Sequence, residues 1–208
     1  MKIRHLTVGP GFTNCYVASD GENAVVIDPG FEAERVVAYL SRQKLRLHYI
    51  FLTHGHYDHI LAAPALREMT GAEIVITAPD CECLTDPRRS LAARTRMPQR
   101  CEEANILAFE NSTFLVGGME FRWMMTPGHT PGSAVILSGD ALFAGDTLFL
   151  GSCGRCDLPG GDEVQMIGSL RRLGQLPGDY QVYPGHGTET TLDRERRYNR
   201  NMKEALGI

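Results

Sequence analysis

No apolar run in the 208-residue chain approaches the roughly 18 residues that a membrane-spanning helix needs. The first ten residues carry Lys2 and Arg4 but no apolar segment of the kind a secretory signal requires. The chain therefore reads as cytoplasmic, and its six cysteines as reduced thiols rather than a disulfide framework. Charge of one sign is not in excess either. A net charge of -4 gives no field that would draw nucleic acid or an anionic membrane, which leaves a small molecule as the expected partner. No Ser/Gly linker, low-complexity tract or residue-level repeat divides the sequence. Residues 1–208 are expected to form one domain.

What is present is a 43% apolar composition, enough for a full core. Runs rich in Val, Ile, Tyr and Thr at 2–8, 12–18 and 24–28 are separated by Gly9-Pro10-Gly11 and Asp20-Gly21, the punctuation of short strands. A helix is expected after Asp28-Pro29-Gly30, where Val36, Val37 and Leu40 recur at helical spacing. Residues 47–53 read as a buried strand, 59–69 as a helix, 73–77 as a strand and 79–93 as a helical or irregular excursion. The second half repeats this mixture: strands near 112–116, 119–126, 133–138 and 140–144, then helices near 162–173 and 190–205. Two mixed α/β halves in this order fit a four-layer αββα sandwich better than a doubly wound sheet.

The sharpest motif is Thr53-His54-Gly55-His56-Tyr57-Asp58-His59, at a strand-to-helix junction. Three imidazoles and a carboxylate in so short a span suit a borderline divalent metal. In extended backbone His54 and His56 point the same way, while the following turn lets Asp58 and His59 face a second point. Three more candidates follow strands beside Gly or Pro: His129 in Thr126-Pro127-Gly128-His129-Thr130-Pro131-Gly132-Ser133, Asp146 in Phe143-Ala144-Gly145-Asp146-Thr147, and His186 in Tyr183-Pro184-Gly185-His186-Gly187. Each alone is a turn; together they complete two metal shells.

With those residues in order, the sequence resembles the metallo-β-lactamase superfamily along essentially its whole length. The resemblance implies that His54, His56 and His129 hold one divalent ion and that Asp58, His59 and His186 hold another, with Asp146 bridging. Zinc is the expected metal, with iron or manganese as alternatives. A water between such ions ionises near neutral pH and attacks a carbonyl, so Asp58 and the water held by Asp146 are the expected catalytic groups. Asn14-Cys15-Tyr16, Val26-Ile27-Asp28-Pro29-Gly30 and the turns of His129 and His186 are similar to the glyoxalase II (hydroxyacylglutathione hydrolase) branch. Gly154-Arg155-Cys156-Asp157 resembles a Gly-Arg-Thr-Asp element of short, single-domain glyoxalase II-like enzymes, with Cys156 in place of Thr; persulfide dioxygenases carry a similar element. The separate helical domain with which larger glyoxalase II enzymes grip glutathione is not expected here. The resemblance thus implies a thioester hydrolase acting on S-2-hydroxyacylglutathione or a related acyl thioester. A persulfide dioxygenase with one iron, a hydrolase of another acyl substrate such as a lactone, and a non-catalytic scaffold remain as alternatives.

Other features carry two readings each. Five arginines, at 88, 89, 94, 96 and 100, either form a solvated face balanced by Glu102 and Glu103 or supply forks for a carboxylate. On the second reading Arg94, Arg96, Arg100 and Arg155 are the substrate contacts, holding an anionic thiol such as a glutathione conjugate. Cys153 and Cys156 form a C-x-x-C that is a redox pair or simply two small, partly buried residues. Cys81, Cys83 and Cys101 lack an obvious fourth ligand for a further zinc. His5 and His48, on β-like runs, are expected to be structural.

Overall fold

A computed structural model describes residues 1–95, 99 and 102–208. Along the chain come β1 (Lys2–Val8), β2 (Thr13–Asp20), β3 (Asn23–Ile27), α1 (Ala33–Gln43), β4 (Arg46–Phe51), α2 (Tyr57–Ile60), α3 (Ala63–Thr70), β5 (Glu73–Thr77) and β6 (Ile106–Ala108). These strands form one sheet in the order β1-β2-β3-β4-β5-β6, antiparallel from β1 to β3 and parallel from β3 to β6. The second half supplies β7 (Thr113–Val116), β8 (Met119–Met125), β9 (Ala134–Ser138), β10 (Ala141–Gly145), the small hairpin β11 (Leu148–Phe149) and β12 (Ser152–Cys153), α4 (Glu163–Gly174), β13 (Gln181–Pro184), β14 (Thr190–Thr191), α5 (Leu192–Tyr198) and α6 (Arg200–Leu206). Its sheet runs β14-β13-β10-β9-β8-β7, and only β10 and β13 are parallel.

Side chains alternate across a strand, and here both faces are covered, so the central strands read as unbroken apolar runs. On β2 to β5, Val17, Val26, Ile50 and Ile74 face α1 and α3, packing on Val36, Leu40 and Leu66. Their neighbours Ala18, Val25, Phe51 and Val75 face the other sheet and meet Phe121, Trp123, Ile136 and Phe143. The far side of the second sheet buries Val135, Leu137 and Leu142 against Met166, Leu170, Leu173 and Met202 of α4 and α6. Three apolar interfaces separate four layers, the αββα sandwich expected from the element order. Truncating Trp123, fully buried at the centre, is expected to cost about 3–5 kcal/mol.

Two of the expected helices are broken. Residues 59–69 form α2 and α3 because Gly30 takes over the backbone between them: its N–H donates to the His59 carbonyl at 2.9 Å and its carbonyl accepts from Ala62 N–H at 2.7 Å. Pro64, in the first turn of α3, could not have continued the ladder. Residues 190–205 begin as the short strand β14 and then divide at Asn199, whose extended backbone ends α5 and whose side chain accepts from Asn201 N–H and Met202 N–H to cap α6. The 79–93 excursion is two 3-10 turns, Ala78–Leu84 and Ala92–Arg94. The short strands β6, β11, β12 and β14 escaped the sequence reading, since they hold too few residues to show a period. Among the described residues no helix is long and apolar enough to cross a membrane.

Candidate metal centre

The C-terminal ends of β4, β8, β10 and β13 deliver the expected residues to one edge of the sandwich. His54 follows β4, His129 follows β8, Asp146 follows β10 and His186 follows β13. Gly145 makes the turn before Asp146 possible: its φ is +47°, and a Cβ would lie 2.3 Å from Thr53 Oγ1. The turn carrying His186 is stitched to β2 across the sheets. Asn14 N–H donates to Gly185 O at 2.7 Å, Asn14 Nδ2 to Pro184 O and Gly187 O, and Tyr16 Oη to Pro184 O at 2.8 Å.

All seven candidate ligands converge. His54, His56 and His129 present ligand atoms within 4.8 Å of one another, as do Asp58, His59 and His186. Asp146 lies between the sets, its Oδ1 3.6 Å from His59 Nε2 and its Oδ2 3.5 Å from His129 Nε2 and 3.7 Å from His186 Nε2. His56 Nδ1 is 2.9 Å from His129 Nε2, and His186 Nε2 is 3.2 Å from Asp58 Oδ2. Asp28, His54 and His59 likewise bring ligand atoms within 4.8 Å of one another. The Asp28 carboxylate is already committed, accepting from Thr53 N–H at 2.8 Å, Thr53 Oγ1 at 2.7 Å and His59 Nδ1 at 3.0 Å. Asp28 thus braces Thr53 and His59 directly.

Outer partners fix which nitrogen four of the five imidazoles turn inward. A carbonyl only accepts, so His129 Nδ1 donates to Arg155 O at 2.8 Å and His186 Nδ1 to Gly11 O at 3.1 Å. His59 Nδ1 donates to Asp28, and His54 Nδ1 donates to Thr53 Oγ1, whose own proton is spent on Asp28. Four rings therefore aim Nε2 at the centre, an arrangement typical of metal-ligating histidine.

Buried polar atoms without a hydrogen-bond partner include His54 Nε2 and Asp146 Oδ1. Such orphans cost free energy unless something meets them, and one bare imidazole nitrogen beside one bare carboxylate oxygen fits a divalent cation. The electrostatics agree. Burial, reinforced by the neighbouring imidazoles, holds His54 well below its ordinary pKa and lowers His56 to about 3, so both are neutral and ready to ligate. Burial alone would lower His59 too, but Asp58, Asp146 and Asp28 outweigh it and raise the ring to about 10. Burial works against Asp58, yet His59 and His186 keep its carboxyl well below the usual range. The second set thus attracts positive charge, which a bound cation would satisfy.

A cleft of about 710 Å³ opens over these groups, walled by Tyr57, Leu91, Arg94, Phe149, Leu158 and Arg155 among others. Arg94 is exposed on this wall. Arg155 reaches the wall too, but its guanidinium is held by Asp157 through two 2.6 Å bonds and its carbonyl is what touches the centre. Arg96 and Arg100 lie outside the described residues, as does Cys101. Cys153 and Cys156 are free, partly buried thiols; Asn201 Nδ2 donates to Cys153 Sγ, and burial pushes Cys156 up to about 11. Burial also raises Cys83 to about 12. His5 and His48 bond Asn14 Oδ1 and Asn23 Oδ1, the structural role expected of them. The sequence reading assigned no task to Asp80, which is buried and bonded to two of the ligand-bearing loops.

Residues 8–186 match the family described as the metallo-beta-lactamase superfamily. The hydroxyacylglutathione hydrolase GloC of Haemophilus influenzae is 36% identical over 211 residues, spanning 96% of this chain and 97% of that protein. BLEG-1, described as a B3 metallo-beta-lactamase, superposes with a TM-score of 0.91 at 33% identity, covering 97% of this chain and 99% of that one. TTHA1623, solved in a di-iron-bound form, does so with a TM-score of 0.85 at 36% identity, covering 95% and 98%. Two of these proteins are described by different activities and the third by its iron, at similar likeness, so likeness alone does not choose a substrate or an ion.

Proposed function

Because the chain belongs to the metallo-beta-lactamase superfamily, we propose that it is a two-metal hydrolase of a small acyl thioester, with an S-2-hydroxyacylglutathione as the substrate class. The observation that carries the metal part is the convergence of seven side chains with buried, partnerless His54 Nε2 and Asp146 Oδ1 at their centre. The thioester part is supported by the described activity of the Haemophilus relative.

In this reading His54, His56 and His129 would hold one ion and Asp58, His59 and His186 the other, with Asp146, which lies between the two sets, able to serve both. Zinc is the proposed metal, with iron or manganese able to use the same nitrogen and oxygen donors. When bound, the ions supply a water of lowered pKa and a Lewis acid for the carbonyl. The protein supplies the rest. Asp28, Thr53, Gly11 and Arg155 hold His59, His54, His186 and His129 in one tautomer each, so little reorganisation of these four rings accompanies turnover. Tyr57, Leu91, Phe149 and Leu158 give the cleft apolar surface against which a substrate chain can pack. Arg94 lines the cleft, no acidic partner is seen for it among the described residues, and it is proposed to receive a substrate carboxylate as a fork. Arg96 and Arg100 are proposed to assist it.

Thiol release from S-lactoylglutathione should be rapid with metal-replete protein, disappear after stripping with a chelator and return with zinc. Absence of release from the replete protein would withdraw the glutathione thioester. Oxygen uptake with glutathione persulfide would then replace hydrolysis with an oxygenase reaction.

A further inference from the structure

The two loops that carry the three-histidine set come from different sheets. His54 and His56 follow β4 of the first sheet, and His129 lies between β8 and β9 of the second. Between them sits the 3-10 turn Ala78–Leu84, which leaves β5 and contributes none of the converging ligands. Asp80 on this turn is 1% exposed. Its Oδ2 accepts from Gly55 N–H at 2.8 Å and from Thr130 Oγ1 at 2.7 Å, and its Oδ1 accepts from Gly132 N–H at 2.7 Å. One carboxylate thus binds the residue between His54 and His56 and, on the other sheet, the residues that follow His129.

Packing gives a second, independent indication. A Cβ on Gly55 would meet Cys83 Cβ at 2.4 Å, and one on Gly132 would meet Thr77 Oγ1 at 2.4 Å and Asp80 Oδ1 at 2.5 Å. Both ligand loops are pressed onto the turn so closely that only glycine fits. Thr77 Oγ1, at the end of β5, adds a bond to Gly132 O at 2.5 Å, so β5 and the turn after it grip the His129 loop through a donor and an acceptor. Burial pushes the Asp80 carboxyl up from its ordinary value, and Thr130, Gly55 and Gly132 pull against that shift.

We infer that Asp80 is a positioning residue whose carboxylate clamps the two loops together and sets the spacing of His54, His56 and His129. The metal consequence rests on the two-ion reading given above; the clamp itself does not. Asn cannot replace it cleanly, because all three partners of Asp80 donate. An amide turned either way sets its NH₂ against a backbone N–H, that of Gly55 or that of Gly132.

The test is zinc binding by competition with a chromophoric chelator, for wild type, Asp80→Asn, Thr130→Val and Thr130→Ser. Asp80→Asn is expected to weaken the zinc held by the three histidines by about 10–100-fold, the range typical of losing an outer partner, and to leave the second equivalent unchanged. Thr130→Val should weaken the same equivalent by a smaller factor, and Thr130→Ser, which keeps the hydroxyl, should restore it. Unchanged zinc affinity with only a lowered melting temperature would make Asp80 a stability residue and overturn the inference. If Asp80→Asn does not fold, the Thr130 pair decides alone, and equal affinity of the Val and Ser variants sinks the idea. If wild type binds no zinc, the metal reading fails separately. The clamp is then decided by amide exchange of Gly55 and Gly132, protected in metal-free wild type and lost together in the variants if it exists; protection retained in the variants overturns it.

Discussion

The two halves of the centre are built to opposite specifications. His54, His56 and His129 are at most 5% exposed, and burial keeps His54 and His56 neutral. In the other set only His59 is fully buried; the side chains of Asp58 and His186 are 18% and 29% exposed, and they form an ion-paired cluster with His59. Neutral imidazoles in a tight pocket form a preorganised seat that needs no proton to leave. A solvent-facing cluster with a carboxylate and a raised histidine must exchange a proton for the cation, so its occupancy should depend more on pH and on metal supply. The difference suggests a division of labour, a fixed ion toward the interior and a more exchangeable one at the cleft.

The strongest way to break this comparison is to remove what the halves share. Asp146→Ala should release both ions and lower thioester hydrolysis by on the order of 10³-fold, the scale of losing several kcal/mol of charge stabilisation. Metal content by mass spectrometry of the native protein checks it, and retention of two equivalents would show that Asp146 does not bridge. Next comes Asp58→Ala, expected to lose one equivalent, keep the fold, and cut the rate by about 10²-fold. An unaffected rate would remove the second set from the mechanism. A smaller effect is expected of Asp28→Asn, at about 10–100-fold in metal affinity. Asp28 bonds His59 directly and His54 through Thr53, so both halves should weaken together. Weakening of one alone would mean the halves are supported independently.

How much of this was legible follows from how far apart the cooperating residues lie. The cluster at 54–59 was plain because its ligands share one turn, and His129, Asp146 and His186 stood out beside Gly or Pro at strand ends. The central strands were readable because burial on both faces leaves unbroken apolar runs, as in Asn23–Ile27 and Glu73–Thr77. The supports were not. Asp28 meets His59 from 31 positions away, Asp80 meets Gly132 from 52, and Asn14 meets Pro184 from 170. Asn14 and Asp28 stood in segments similar to the glyoxalase II branch and Asp80 in none, but the task of each shows only when the sheets are stacked. The break at Leu61 and Ala62 was equally hidden, since its cause is a glycine backbone from another segment. Arg155 was found for its charge, but the structure uses its carbonyl on His129.

The subtlest expected effect sharpens the comparison in the metal-free protein. His56 falls from an ordinary 6.5 to about 3 on folding, so between those values the unfolded chain binds the proton that the folded one refuses, and stability drops as the pH falls through that window. His54 shifts in the same direction. His59 rises from 6.5 to about 10, so its contribution is full below 6.5 and is lost as the pH climbs toward 10. His186, raised as well, adds to the alkaline loss. Chelator-stripped protein should therefore melt highest near pH 6.5 and lower on either side by a few degrees or more. His56→Gln should flatten the acid limb and His59→Gln the alkaline one. Melting curves from pH 4.5 to 10 decide it: a single slope across that range, or the same limb flattened by both variants, would mean that the two sets titrate as one cluster and that the division between them is not electrostatic.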